Sequence, residues 1–334
     1  MVLDLAFIWA LLIAFSVFAY VVLDGFDLGI GILFPWIDGE RERDTAMNSV
    51  APVWDGNETW LVLGGGGLLA VFPLAYAIIL PALYAPVTAM LLGLILRGVA
   101  FEFRFKSENN KAVWDAAFFG GSLLAGLSQG IMLGALVQGI AVENRAYAGG
   151  WFDWCTPFSV MTAVALVIGY ALLGACWLIM KTEGELQQIA FGFARRLAVT
   201  LLVAIGVVSF WTPFLEAQYF ARWLSWPSIL YSVPVPLLTL LAAWRLITSL
   251  TEGREREPFL ATLGLFLLCY IGLGISLYPN IVPPGVSIWA AAAPDVSLSF
   301  LLVGAIVLVP IILAYTAYAY WVFRGKVDPD GGYH

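Results

Sequence analysis

Six ionisable side chains stand where a very apolar chain has least room for charge. Asp24 and Asp27 lie in "LDGFDLGIG", Asp55 and Glu58 in "VWDGNETW", and Arg97 and Glu102 in "LILRGVAFEFRFK". Residues three apart share one helical face, so Asp24 pairs in space with Asp27, and Asp55 with Glu58. An aspartate at the centre of a bilayer costs about 2.5–3.5 kcal/mol to insert, so such groups turn toward protein or water. Carboxyls strung along a hydrated pocket could take up and release protons.

Plainer roles exist for each group. Asp24 and Asp27 could mark a helix end, with Gly25 and Gly29 as a GxxxG packing face. Asp55 and Glu58, following Pro52, fit a capping box, a role compatible with proton handling because a helix N-terminus favours a carboxylate. Asn57 adds a hydrogen-bonding side chain, and Trp54 and Trp60 suit an interfacial aromatic belt. Arg97 could snorkel to lipid phosphate. If it turns inward it needs an acid, and Asp24, Asp27, Asp55 and Glu102 are at hand.

The elements that must position these groups are membrane helices. The 334 residues are 61% hydrophobic and 12% charged, with a mean hydropathy of +0.90, whereas soluble domains carry roughly a quarter charged residues. Nine apolar runs reach the length of about 20 residues needed to cross the hydrocarbon core: 5–34, 54–74, 77–105, 113–138, 157–181, 192–214, 227–248, 259–278 and 296–323. Backbone groups in lipid must be satisfied within each segment, so these runs are helices. The expected fold is all-α and polytopic, one integral membrane domain over 1–334. It divides into two four-helix bundles, 1–138 with the acidic cluster and 157–278, plus a ninth helix at 296–323.

Charge sets the orientation. Thirteen of the 16 basic residues fall on one side: Arg41, Arg43, Arg104, Lys106, Lys111, Lys181, Arg195, Arg196, Arg245, Arg254, Arg256, Arg324 and Lys326. Lys and Arg favour the cytoplasm, which puts the N-terminus outside and the C-terminus inside. Asp24, Asp27, Asp55, Glu58, Arg97 and Glu102 then share one depth near the cytoplasmic face, as a pocket open to that side requires. A weak repeat lays "AYVVLDGFDLG" over "GYALLGACWLI", with Gly174 and Trp177 where the first half has Asp24 and Asp27. The run "GGGG" at 64–67 invites close packing of another helix or a flat ligand.

Other function classes find little support. Cys155, Cys176 and Cys269 have no metal or redox spacing. The one histidine is His334, which argues against a haem or copper centre carried by this chain alone. The start "MVLDLAFIWALLIAF" has no basic region and does not read as a cleavable signal peptide. No basic patch with interleaved aromatics suggests nucleic acid.

Three motifs, "DGFDLGIG" (24–31), "VAPVWDGNETWL" (50–61) and "RGVAFEFR" (97–104), resemble the signatures of subunit II of cytochrome bd-type quinol oxidases, a family that includes the cyanide-insensitive terminal oxidases. The resemblance extends over the whole chain in length, number of spans and motif order. It implies a haem-free subunit paired in the bacterial cytoplasmic (inner) membrane with a subunit I that holds two b-type haems and one d-type haem. That complex is a quinol:oxygen oxidoreductase, oxidising quinol and reducing dioxygen to water. A small single-span subunit, lipid and a bound quinone are further family possibilities. Carried over residue by residue, the resemblance makes Asp55 the proton-intake acid with Trp54 beside it, and Asp24, Asp27, Glu58, Arg97 and Glu102 pathway or structural groups. A secondary transporter with a midmembrane acidic site is the alternative that parallel repeats and a glycine-interrupted span would suit. An assembly partner with no pathway of its own is the plainest reading.

Overall fold

Helix 1, α1 (Leu5–Leu33), begins where the Asp4 carboxylate accepts from the Phe7 amide at 3.0 Å. Its 29 residues rise about 1.5 Å each, giving a rod of ~44 Å that outruns the hydrocarbon core. The computed structural model describes residues 4–107 and 109–328; His334 lies outside them. A short surface helix, α2 (Glu40–Asn48), leads into α3 (Trp54–Val71), α4 (Pro73–Ala82) and α5 (Tyr84–Arg104). The long helices α6 (Lys111–Gln138), α7 (Pro157–Lys181) and α8 (Gly184–Trp211) follow. Then come α9 (Ala217–Leu224), α10 (Ile229–Ser232), α11 (Pro234–Thr251), α12 (Glu257–Leu277), α13 (Ile288–Ala291) and α14 (Asp295–Val322). Two small antiparallel hairpins, Val142–Glu143 with Ala146–Tyr147 and Asn280–Val282 with Val286–Ser287, join helices at the end opposite the acids.

Eight helices among the described residues are long and apolar enough to cross a membrane, and a ninth crossing is counted only if α3 and α4 are one span. These two meet at a bend of 119°. The apolar runs 54–74 and 77–105 therefore do not correspond to two plain rods. The first run ends at Phe72, and the start of the second belongs to α4, with the membrane helix starting at Tyr84. The cause is local. Phe72 leaves the helical region at φ −123° and ψ 61°, Pro73 opens α4 and Pro81 sits inside it, so donors needed to continue one ladder are missing. Helix α8 also starts at Gly184, eight residues before the apolar run 192–214.

Packing is densest among α1, α5, α6 and α7, where backbones touch. Gly29 of α1 lies on the Tyr170 carbonyl and Gly174 of α7, and a Cβ at either glycine would run into the other helix. Gly93 and Gly121 do the same for α5 and α6. Beside the first crossing, Phe26 stacks on Trp177 with centroids 4.2 Å apart. The outer helices are loosely covered: on α14, Phe300 is 79% exposed and Val303 67%. Aliphatic surface of that extent belongs against lipid or another apolar chain.

Candidate functional site

The C-terminal ends of α1 and α5 and the N-terminal end of α3 bring three charged side chains together. Asp24 of α1 lies 2.6 Å from Arg97 Nη1, with the two side chains 1% and 0% exposed. Arg97 Nη2 donates to Glu58 Oε1 of α3, whose side chain keeps 27% of its surface open. Arg97 thus spans from a buried acid to a partly exposed one. It does not snorkel. The reason lies in the helices: Gly93 lets α5 sit against α6, while Gly25 and Gly29 let α1 sit against α7, leaving the acid-bearing face of α1 turned toward α3 and α5.

Asp27 belongs to a second strand of contacts. Asn57 Nδ2 donates to Asp27 Oδ2 at 2.7 Å and to the Leu23 carbonyl at 3.2 Å. The Tyr320 hydroxyl of α14 donates to Asn57 Oδ1 at 2.9 Å. On the far side of Asp24, one turn deeper, the Tyr20 hydroxyl accepts from Gln129 Nε2 at 2.8 Å, and Tyr170 donates to Gln129 Oε1 at 2.6 Å. Polar groups therefore follow one another from Glu58 through Arg97 to Asp24 and then, across a gap in which Asp24 Oδ2 has no hydrogen-bond partner among the described residues, to the linked set Tyr20, Gln129 and Tyr170.

The chemistry follows from the charge balance. Three carboxyls, Asp24, Asp27 and Glu58, face one guanidinium, and an unmatched carboxylate in hydrocarbon is costly. Arginine does not give up its proton, so any proton the cluster holds is shared among the acids. Asp27 Oδ1 and Arg97 Nε are buried with no hydrogen-bond partner among the described residues, leaving a lone pair open to a proton and a donor open to a new acceptor.

The six sequence candidates divide. Asp24, Glu58 and Arg97 meet directly, and Asp27 joins them through Asn57. Asp55 is exposed in the first turn of α3, one turn from Glu58. Trp54 stacks on Phe101 with centroids 4.9 Å apart, which braces the start of α3 against α5. Glu102 is not brought in. Its side chain is 52% exposed and its partner is Lys106, at 3.5 Å, because residue 102 falls on the opposite face of α5 from Arg97. The capping box is absent as well. The N-cap of α3 is Val53, without a side-chain bond, and Glu58 reaches across to Arg97 instead. Trp60 is not in an interfacial belt; it is buried against Phe15.

Tyr20, Gln129, Tyr170 and Tyr320 were not foreseen as site residues. Gln129 alone carried a signal, being an amide inside an apolar run.

A second ionic cluster at the same end is matched in charge. Buried Arg104 pairs with Asp115 at 2.5 Å and with Asp44, and Arg43 reaches Asp115 at 3.1 Å. Lys111 holds Glu40, and this hydrogen bond, reinforced by its charge, keeps the Glu40 carboxyl below the usual glutamate range. These pairs clamp α2 to α5 and α6. Among the described residues no group of three or more His, Cys, Asp and Glu side chains is placed to hold a metal ion.

Against known proteins, a family described as cytochrome bd terminal oxidase subunit II matches residues 5–323. The chain is 30% identical to "Cytochrome bd-I ubiquinol oxidase subunit 2" of Escherichia coli (strain K12), over 98% of this chain and 96% of that protein. It is 26% identical to "Cytochrome bd ubiquinol oxidase subunit 2" of Bacillus subtilis (strain 168), over 96% of each. In three dimensions it superposes on a chain from the structure of bd oxidase from Geobacillus thermodenitrificans with a TM-score of 0.80 and 18% identity, covering 96% of this chain and 99% of that one. At that identity the likeness speaks to fold.

Proposed function

The chain belongs to the cytochrome bd terminal oxidase subunit II family, and on that premise we propose that it serves a haem-bearing subunit I as scaffold and as its proton intake from the cytoplasm. The partner oxidises quinol and reduces dioxygen to water, a reaction that consumes protons. The haems belong to the partner in this reading. Its support is donor chemistry: the described residues include no histidine, and Cys155, Cys176 and Cys269 lie apart, so the side chains here do not suit haem iron.

One observation carries the intake reading: Arg97 joins the partly open Glu58 to the enclosed Asp24 across two helices. Exposed Asp55 collects protons at the surface, and Glu58, one turn on, receives them. Arg97 keeps its own charge and protons and holds the two carboxyls beside its opposite ends, so a proton leaving Glu58 crosses to Asp24 through water alongside the guanidinium, and Asp24 releases it toward the interior. Thirteen of 16 basic residues on the same side support a cytoplasmic mouth, an outer N-terminus and a place in the bacterial cytoplasmic membrane. The halves 1–138 and 157–278 are kept as the two bundles, meeting at the Gly29–Gly174 crossing, with α14 outside both.

Oxygen consumption by the purified complex tests the proposal. Glu58→Gln and Asp24→Asn should slow turnover in whatever complex assembles with its visible haem spectrum intact. Wild-type turnover in both would remove the intake role.

A further inference from the structure

The last helix is loosely packed along most of its length but fastened at its inner end, where it meets the acid site. The Tyr320 ring sits edge-on against Phe26 and Trp177, with centroids 6.4 and 6.1 Å away, and its hydroxyl bonds Asn57. Just beyond, the chain forms a strap over the end of α7. Lys181, buried and without a carboxylate partner in any ion pair found among the described residues, donates to the carbonyls of Phe323 and Gly325. The Val327 amide donates to the Lys181 carbonyl at 2.8 Å. Lys326 donates to the Thr182 carbonyl at 2.9 Å and pairs with Glu255 at 2.9 Å. Between strap and site lies a cavity of about 450 Å³ lined by Ser49, Trp177, Lys181, Tyr320 and Lys326.

Asn57 has its amide committed on both sides. Its nitrogen serves two acceptors, Asp27 and the Leu23 carbonyl, so its oxygen must find a donor elsewhere, and Tyr320 is that donor. Without the hydroxyl, a carbonyl in a residue only 1% exposed is left unmatched, which penalises the amide orientation that serves Asp27. An amide cannot relay a proton by simple exchange, so this chain of bonds is a holder and not a conduit.

We propose that Tyr320 is a positioning residue for the proton intake: acting through Asn57, it holds the Asp27 carboxyl beside Asp24, and the strap pinned by Lys181 holds Tyr320 in place. This rests on the intake reading above. It brings the C-terminal helix, 263 residues from Asn57 in sequence, into the site's machinery.

The test uses the whole oxidase complex. Tyr320→Phe keeps the ring packing and removes only the hydroxyl. Turnover should fall about three- to tenfold, the scale of one hydrogen bond, with haem content unchanged. In infrared difference spectra, the carboxyl band assigned to Asp27 by its loss in Asp27→Asn should shift. Tyr320→Phe should add nothing to Asp27→Asn. Wild-type turnover with an unmoved band, or effects that multiply in the double variant, overturns the proposal. If Tyr320→Phe fails to assemble, Lys181→Met, which releases the strap and the ammonium over the Trp177 ring while leaving Asn57 and Asp27 untouched, should shift the same band, and an unmoved band there is equally fatal. The two readings fail separately. If Asp24→Asn and Glu58→Gln leave turnover intact, the intake reading falls, while the band still reports whether Tyr320 governs Asp27.

Discussion

Arg97 and Asp24 face each other at 2.6 Å across α5 and α1, both closed to solvent. Neither could be inserted into a membrane cheaply alone, and each makes the other tolerable. Removing one partner of such a pair is costly because it strands the other, typically by about 3–5 kcal/mol. Arg97→Ala should therefore sharply reduce recovery of the assembled complex, measured as haem per unit of membrane protein. Arg97→Lys, which keeps charge but not the fork that reaches both Asp24 and Glu58, should fall between. Normal recovery of Arg97→Ala would mean the pair does not hold the bundle.

Asp55 differs because it is exposed. Asp55→Asn should leave assembly and haem content alone and slow oxygen consumption modestly, by about two- to tenfold, since solvent can partly replace a surface acid but not a positioned one. A turnover equal to wild type would place the mouth at Glu58.

Gly29 and Gly174 should be intolerant of side chains. Gly29→Ala drives a methyl into the α7 backbone, an overpacking that costs about 1–3 kcal/mol or more. Gly264→Ala on α12 meets nothing within 4 Å and should be neutral or stabilising, since alanine is the better helix former by about 1 kcal/mol. The apparent melting temperatures of the two variants check this. Equal values would show that the crossing can relax.

The strap should respond to acid in one direction. The Glu255 carboxyl is held below its usual value of 4.5, chiefly by the hydrogen bond with Lys326 and then by Gln187. A depressed acid contributes fully above its ordinary value and loses that contribution as pH falls through the lowered one. Hydrogen exchange at the Val327 amide, corrected for intrinsic rate, should be flat from pH 7 to about 5 and rise only below the usual glutamate range. Loosening that begins near neutrality would point to a different fastening.

Much of the architecture was legible in the residues, for a physical reason: in lipid, an apolar run of sufficient length has one conformation open to it. Seven of the nine runs each correspond to one membrane helix, some with a short turn at one end; 157–181 coincides with α7. The α3–α4 bend was not legible, because Pro73 and Pro81 sit in sequence that stays apolar on both sides, and hydropathy records composition and not direction. At the site, three-residue spacing placed Asp24 beside Asp27 on α1. The same spacing misled at Asp55 and Glu58, where a cap was expected and Glu58 reaches across to Arg97. Tyr320 lay beyond any spacing rule, since only the packing of α14 on α1 and α3 decides its neighbours. Arg43, Arg104 and Lys111 served to orient the chain, and their matched acids emerged only with the fold.

The Gly29–Gly174 contact reaches further than its size suggests. Bare backbone against bare backbone leaves α1 no slack on that face, so neither its height nor its rotation can drift. The acids it carries on the opposite face inherit that fixity. A helix that contributes no charge to the cluster, α7, is thus the anvil on which the distance from Asp24 to Arg97 is set.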